Sequence, residues 1–174
     1  MASQGRSHRE VFEVLRPGFD LQGELERWRT DDPDGLRSNF DGDDLYADVR
    51  PTFRRLREMG KRIMIAGNQP VEARAALEAM ELGADAILIS AGVGVEKPTP
   101  GFFEKVSEAL GVRVGEILYV GDRVDNDVLP AKASGMQTAL IRRGPWGYLH
   151  AEWPQAAEAD AIIDSLSEIP ELLM

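Results

Sequence analysis

The stretch that decides the fold runs from Glu116 to Arg143 and reads EILYVGDRVDNDVLPAKASGMQTALIRR. The run Ile117–Val120 has the length and β-rich composition of a buried strand, and Thr138–Ile141 has the same character. An acidic loop and an Ala-rich segment that ends at Gly135 separate the two runs. This order of strand, loop, helix and strand places the loop at the carboxyl end of a parallel strand, where open α/β sheets bind their ligands.

The acidic loop carries three aspartates, Asp122, Asp125 and Asp127, within six residues. Carboxylates this close repel one another unless a cation neutralises them, and such oxygen ligands suit Mg²⁺ with water molecules completing its octahedron. For Asp125 and its neighbour Asn126 a simpler role is expected, that of capping a helix over residues 127–134. We therefore predict metal or phosphate chemistry for Asp122 and Asp127.

Composition excludes several classes of protein. A chain of 174 residues suffices for one domain with a hydrophobic core. The net charge of −10, from 30 acidic and 20 basic residues, disfavours binding to nucleic acid or to an anionic membrane. Apolar runs of about five residues are too short to span a bilayer. The absence of cysteine excludes disulfides and thiolate chemistry. We expect a cytoplasmic protein without nucleic-acid or membrane partners.

From Leu45 onward, the pattern alternates between strands and helices. Strands are predicted at Arg62–Ala66, Ala86–Ser90 and Ala161–Ile163, besides the two runs above. Helices are predicted at Pro51–Met59, at Val71–Leu82, from Pro100 to the stop at Gly111 with Thr99 as N-cap, and at Leu166–Leu173 with a break at Pro170. From Met1 to about Tyr46 the chain is predicted to be helical or irregular. The alternation predicts an α/β fold of three layers, a parallel sheet with helices on both faces.

Three of the predicted strands end in polar loops, IAGNQP (65–70), GVEKPTP (94–100) and VGDRVDND (120–127). The loops share one edge of the sheet and bring together an amide, Lys97 and the carboxylates. A lysine beside carboxylates suits a phosphate dianion together with Mg²⁺, although Lys97 taken alone could be an exposed lysine on a turn. His8 and His150 have no partner at ligand spacing, so we expect both on the surface.

In their order along the chain and in their amino-acid sequence, these three loops resemble motifs II, III and IV of the haloacid dehalogenase (HAD) superfamily of phosphatases and related hydrolases. The resemblance runs from Leu45 to Leu173, and its most specific parts are EKPTPGFF and YVGDRVDNDVLPAKASGM. It implies a Rossmann-like HAD fold and a Mg²⁺-dependent hydrolase, most commonly a phosphatase, that acts on a small phosphorylated or anionic substrate. Lys97 would then hold the transferred phosphoryl group and buffer the charge of the nucleophile as a catalytic residue. Asp122 would be a Mg²⁺ ligand, and Asp127 would support the metal directly or through water.

The resemblance also implies a division of the chain, with residues 1–44 as a partial helical cap and residues 45–174 as the core. Two departures stand out. Where motif II normally has a serine or threonine, this chain has Gly67, so the Gly67 N–H or the Asn68 amide would have to bind the phosphate. Motif I, a DxDx(T/V) loop after a strand, has no counterpart, because Asp41-Gly-Asp43 follows no apolar strand.

The strand that carries motif I normally lies in the middle of the sheet, between the strands of motifs II and IV. Its absence predicts an apolar gap with unpaired backbone groups, to be filled by Val11–Leu15, by a partner chain or by a rearranged sheet. Two functions remain open. One is a phosphatase-type hydrolase that is shortened at its amino end and inactive as written. The other is a non-catalytic binding or scaffold domain, able to form homo-oligomers through an exposed sheet edge.

Overall fold

The computed structural model describes residues 16–31 and 40–174, and the chain divides into two compact units, residues 1–40 and 41–174. The first unit contains helix α1 (Leu21–Asp31). The carboxylate of Asp20 accepts the Gly23 N–H at 2.9 Å and so caps the start of this helix. The proposed filling strand Val11–Leu15 lies outside the described residues.

The second unit alternates strands and helices in the predicted order. Its strands are β1 (Met64–Gly67), β2 (Ala86–Ile89), β3 (Leu118–Gly121), β4 (Gln137–Ile141) and β5 (Ala161–Ile163). Its α-helices are α2 (Val49–Glu58), α3 (Ala73–Ala79), α4 (Ser90–Val93), α5 (Pro100–Leu110), α6 (Leu129–Ala133), α7 (Gly144–Ala151) and α8 (Ile169–Leu172). Short 3₁₀ turns lie at Gly42–Asp44, Val114–Glu116, Pro154–Glu158 and Leu166–Glu168, and Val124–Val128 is a π-helical turn. None of the described helices is both long and apolar enough to cross a bilayer.

The helix ends show which local sequence signals were sufficient to predict where a helix begins or ends. Helix α5 begins at Pro100 after Thr99 and ends at Gly111, whose φ of +62° suits a residue without a side chain. The predicted break at Pro170 is wrong, because Pro170 lies inside α8. The helical segment changes instead from the 3₁₀ turn Leu166–Glu168 to α8 at Ile169. Pro170 lies in the first turn of α8, where its missing N–H leaves no hydrogen bond unmade.

All strand pairs are parallel, but they form two sheets, β1–β2 and β3–β4–β5. Among the described residues no strand joins β1 to β3, so the parallel strands are divided at this point. Within the described part of the chain, neither β1 nor β3 has a second strand on its other edge. An apolar gap was predicted at this place.

A cavity of about 720 Å³ lies between these two strands. Apolar side chains from both strands line it, Met64, Ile65 and Ala66 from β1 and Leu118, Tyr119 and Val120 from β3. Asp122 and Arg143 also line it. We call this cavity the fissure. It matches the gap expected from the sequence in both position and apolar character.

Helices pack on both faces of the strands, as the three-layer arrangement requires. On one face, Phe102 and Phe103 of α5 pack against Leu88 of β2 and Tyr119 of β3, so α5 bridges the two sheets. The rings of Phe103 and Tyr119 meet edge to face at 5.2 Å. On the other face, α2 and α8 cover β4 and β5 with a second buried cluster, Leu56, Ile63, Ala139, Ile141, Ile163 and Ile169.

Asp48, just before α2, ties the opposite ends of the second unit together. Its carboxylate accepts hydrogen bonds from the Arg143 guanidinium, from the Ser165 hydroxyl at 2.7 Å and from the Leu166 N–H at 2.8 Å. Burial alone would raise the pKa of Asp48, but these hydrogen bonds outweigh burial and lower the pKa to about 2. Asp48 is therefore an ionised structural anchor.

Candidate active site

The centre of the site is an ion pair between two of the predicted residues. Lys97 lies in the loop between α4 and α5, and Asp127 lies in the π-helical turn after β3. The Lys97 Nζ donates to Asp127 Oδ1 at 2.5 Å, and the two side chains are only 12% and 4% exposed. The backbone N–H of Arg123 donates to the other oxygen, Oδ2, at 3.1 Å. Lys97 is thus held against the acidic loop and is not an exposed lysine on a turn.

Asn68 holds the Lys97 loop against the end of β1. Its side-chain oxygen accepts the Lys97 N–H at 2.8 Å, and its side-chain NH₂ donates to the Lys97 carbonyl at 2.9 Å. The amide therefore fixes the backbone that carries the lysine. Its role in binding phosphate stays a prediction, and only its second N–H remains for that purpose.

Gly67 closes β1 beside this amide. A methyl group at Gly67 would meet only the Gln69 side chain, at 3.7 Å. There is therefore room for a side chain at Gly67, the position where the resemblance to the HAD family predicts a serine or threonine hydroxyl group. The Gly67 N–H remains the predicted phosphate donor at this strand end.

Asp122 follows β3 directly and lies close enough to the ion pair to feel its charges. Burial raises the pKa of the Asp122 carboxyl, and the Asp127 carboxylate raises it further, while Lys97 and Arg123 act in the opposite direction. A carboxylate that burial and a neighbouring anion both disfavour is stabilised by a bound cation. This electrostatic imbalance marks the position as suited to a metal ion.

The donor set fits Mg²⁺. This ion is typically held by one or two carboxylates, with water and substrate oxygens completing its shell. Asp122 and Asp127 would supply those carboxylates. In residues 16–31 and 40–174 no group of three or more His, Cys, Asp or Glu side chains could hold a metal. The protein part of such a site, as far as the structure describes it, is a pair of aspartates.

Gly121 allows the two aspartates to share one turn. A Cβ at Gly121 would lie 2.4 Å from the Cβ and from the Cγ of Asp127, far inside contact distance. The last residue of β3 must therefore be glycine for Asp127 to fold back over the strand end. The GD pair of the sequence has a steric reason as well as a chemical one.

Two expectations for this region are wrong. Asp125 and Asn126 are not at a helix cap, because both lie inside the π-helical turn Val124–Val128. The two oxygens of Asp125 accept hydrogen bonds from the Arg123 guanidinium at 3.0 and 2.8 Å. His150 is not on the surface, since its side chain is completely buried in α7 and its Nδ1 accepts the Val124 N–H at 2.9 Å. The sequence predicted no helix at Gly144–Ala151, where the structure places α7. His8 lies outside the described residues.

The side chains of Asp41 and Asp44 cap the 3₁₀ turn Gly42–Asp44. Asp41 accepts the Asp43 N–H at 2.8 Å, and Asp44 accepts the Asp41 N–H at 2.9 Å. All three side chains are exposed. These hydrogen bonds within the turn give the cluster of carboxylates a local structural role.

These features identify the class of protein. The chain belongs to the haloacid dehalogenase-like hydrolase family, whose model matches residues 3–135. It resembles a HAD phosphatase of known structure from Thermococcus onnurineus, with 28% identity and a TM-score of 0.64 over 95% of this chain and 69% of the other. The expected HAD-like α/β fold is therefore confirmed.

Curated relatives of the chain include phosphatases. The chain is 39% identical over 105 residues to the glyceraldehyde 3-phosphate phosphatase of Methanopyrus kandleri, covering 58% of this chain and 45% of the relative. It is 30% identical over 135 residues to the phosphoglycolate phosphatase of Pectobacterium atrosepticum, covering 76% and 56%. The chain spans about half the length of the curated relatives it matches.

Proposed function

We propose that this chain carries the phosphate- and metal-binding part of a Mg²⁺-dependent phosphatase that hydrolyses small phosphate monoesters. The observation that carries the proposal is the buried Lys97–Asp127 pair beside Asp122 at the carboxyl ends of parallel strands. The names of the similar proteins support the same reaction. In this proposal residues 1–44 are a helical cap segment and residues 45–174 are the core.

Lys97 binds the phosphoryl group in this proposal. Its ammonium has three N–H donors and uses one of them on Asp127, so two remain for phosphate oxygens. The Gly67 N–H and the remaining N–H of Asn68 approach from the end of β1. Asp122 and Asp127 hold Mg²⁺, which supplies charge neutralisation for the phosphoryl oxygens when it is bound. The partly buried setting strengthens each of these interactions.

We further propose that residues 40–174 do not supply an aspartate nucleophile. The exposed Asp41 and Asp43 are engaged in their own turn. The place that a strand bearing such an aspartate would occupy in the family is the fissure between β1 and β3. Residues 1–174 by themselves are therefore expected to bind phosphate and Mg²⁺ but to hydrolyse little or no ester.

The test separates binding from turnover. Thermal unfolding is recorded with Mg²⁺ and inorganic phosphate at about 100 times their dissociation constants, where binding stabilises by about 2.7 kcal/mol, or about 5–10 °C. Lys97→Met and Asp122→Asn should lose this shift. Lys105→Met should retain it, because Lys105 is an exposed lysine that pairs with Glu108. Absence of the shift in the wild-type chain, or its persistence in the first two variants, contradicts the proposal.

Turnover is measured on the same samples with a generic aryl phosphate. Hydrolysis that requires Mg²⁺ and disappears in Asp122→Ala would show that a nucleophile is present within the chain. That result would overturn the inactive form of the proposal and keep the phosphatase assignment. Binding without hydrolysis is the expected outcome.

The fissure favours a second candidate function, that of a non-catalytic binding domain. Its walls are mostly apolar, and on that side β1 and β3 have no described strand to pair with their backbone N–H and C=O groups. An extended apolar strand parallel to both would satisfy these groups. We propose a second copy of this chain as its source, which makes a homo-oligomer.

Light scattering over a range of concentrations tests this candidate. A dimer at micromolar concentration, together with no response to Mg²⁺ and phosphate, would favour the binding domain over the phosphatase. A monomer at high concentration that binds no apolar dye would exclude it.

A further inference from the structure

His150 occupies the place of a helix cap, although it comes from a distant element. The backbone is extended at Arg123, with φ −121° and ψ 125°, and turns into the π-helical turn at Val124. The first N–H groups of such a turn have no partner within it. Usually a side-chain oxygen just before the helix accepts one of them, but arginine has only donors. Here the buried Val124 N–H donates to the Nδ1 of His150, 26 residues away in sequence.

Aromatic packing fixes the direction of this imidazole. The Trp153 ring stacks on it at 3.9 Å with 20° between the planes, and the Trp146 ring meets it edge-on at 5.4 Å. Because Nδ1 accepts the Val124 N–H, this nitrogen carries a lone pair and no proton. The two tryptophans thus hold an acceptor aimed at one backbone group of the loop.

Helix α7, which carries His150 and Trp146, also contacts Arg123. Its guanidinium lies 4.5 Å above the Trp146 ring and forms the two hydrogen bonds to Asp125. The Arg123 and Asp125 side chains are only 11% and 5% exposed. Residues 123–125 are therefore held from one side by α7 and by their own ion pair.

The held segment lies between the two aspartates of the site. Asp122 precedes residues 123–125, and Asp127 follows them. The Asp127 carboxylate accepts a hydrogen bond from the Arg123 N–H. A change in the direction of the Val124 N–H would therefore move the backbone that joins the two carboxylates. Groups that orient the ligands of a metal typically change its affinity 10–100-fold when they are removed.

We propose that His150 is a positioning residue, which holds the Val124 N–H so that Asp122 and Asp127 converge on Mg²⁺. The proposal rests on the function proposed above for these two aspartates. His150 itself touches neither of them in this role. Its effect passes through residues 123–125, by the Val124 N–H and by the Asp125 carboxylate, whose Oδ1 lies 3.7 Å from His150 Nδ1.

Two substitutions separate the acceptor from the aromatic packing. His150→Phe keeps a planar ring between the tryptophans but removes the acceptor. His150→Asn loses the ring but retains a side-chain oxygen near the position of Nδ1. Mg²⁺ affinity is measured by calorimetric titration, together with thermal stability, for both variants and for Tyr148→Phe, a control in the same helix whose side chain is 65% exposed.

We expect His150→Phe to bind Mg²⁺ at least about 10-fold more weakly than the wild type. His150→Asn should stay within about threefold of the wild type even if it unfolds at a lower temperature, because the acceptor remains. Mg²⁺ affinity of His150→Phe equal to that of the wild type overturns the proposal. So does a loss of affinity that follows thermal stability in both variants, since packing alone would then explain it.

Amide hydrogen exchange without metal distinguishes this proposal from the proposed function. The Val124 and Asp127 N–H groups should exchange faster in His150→Phe than in His150→Asn, relative to the amides of β4. If the wild type binds no Mg²⁺, the metal site proposed above fails, and exchange still decides whether His150 holds the loop. Equal protection in both variants refutes the positioning role.

Discussion

Replacing Gly121 by alanine is the sharpest steric perturbation that this site offers. The new methyl group would lie 2.4 Å from the Cβ and Cγ of Asp127 and 2.6 Å from its Oδ2. Carbon atoms in contact are normally about 3.5–4.0 Å apart. Asp127 is 3% exposed and is held by Lys97 and by the Arg123 N–H, so it has little room to move.

The expected loss of stability depends on how far the new methyl group displaces the Asp127 side chain. Forcing a methyl group into a packed site costs about 1–3 kcal/mol. Separating Asp127 fully from Lys97 would leave a buried charge without its partner, which costs about 3–5 kcal/mol. Since the methyl group displaces the pair without removing it, we expect a loss of about 2–4 kcal/mol. This corresponds to a decrease in Tm of about 5–15 °C.

Thermal unfolding followed by circular dichroism measures this loss, and Gly67→Ala is the matched control. Gly67 also ends a strand at the site, but a methyl group there would meet only the Gln69 side chain, at 3.7 Å. We expect the control to be neutral or stabilised by up to about 1 kcal/mol. A Tm for Gly121→Ala within about 2 °C of the wild type, or an equal loss in the control, would refute the steric argument.

Three further predictions concern charges. Asp48→Asn should destabilise by roughly 1–2 kcal/mol at neutral pH, because the pKa of Asp48 is about 2 in the folded protein against 3.8 in a model peptide. The unfolded chain binds the proton first, so this stability is present above about pH 4 and is lost as the pH falls towards 2, as urea unfolding across that range would show. Lys97→Met should cost about 3–5 kcal/mol, and adding Asp127→Asn should recover part of it in a double-mutant cycle; additive losses would exclude the pairing. Because the pKa of Asp122 is raised, Asp122→Asn should stabilise the metal-free protein at pH 7 but not at acidic pH, where Asp122 is itself protonated; destabilisation at pH 7 would contradict this.

Local patterns in the sequence determined the secondary structure and most of the candidate site. The β-rich runs around residues 117–120 and 138–141, and the Thr-Pro and Gly signals around α5, depend on residues that are neighbours in the chain. The same patterns placed Lys97, Asp122 and Asp127 at strand ends, because parallel strands bring their carboxyl ends to one edge. The strength of the motifs in residues 96–103 and 119–136 made the family recognisable without coordinates.

Only the tertiary structure decided which of these groups touch. The Lys97–Asp127 bond joins residues 30 apart, and the His150–Val124 bond joins residues 26 apart. No periodicity or capping signal encodes such contacts, so an isolated histidine in a Gly- and Pro-containing segment was assigned to the surface. The interruption between β1 and β3 was expected from a missing motif, but its size and apolar lining depend on how α5 bridges the two sheets. Chain-local preferences thus specified the elements, whereas burial and long-range packing specified the charge pairs and the direction of the acidic loop of residues 122–127.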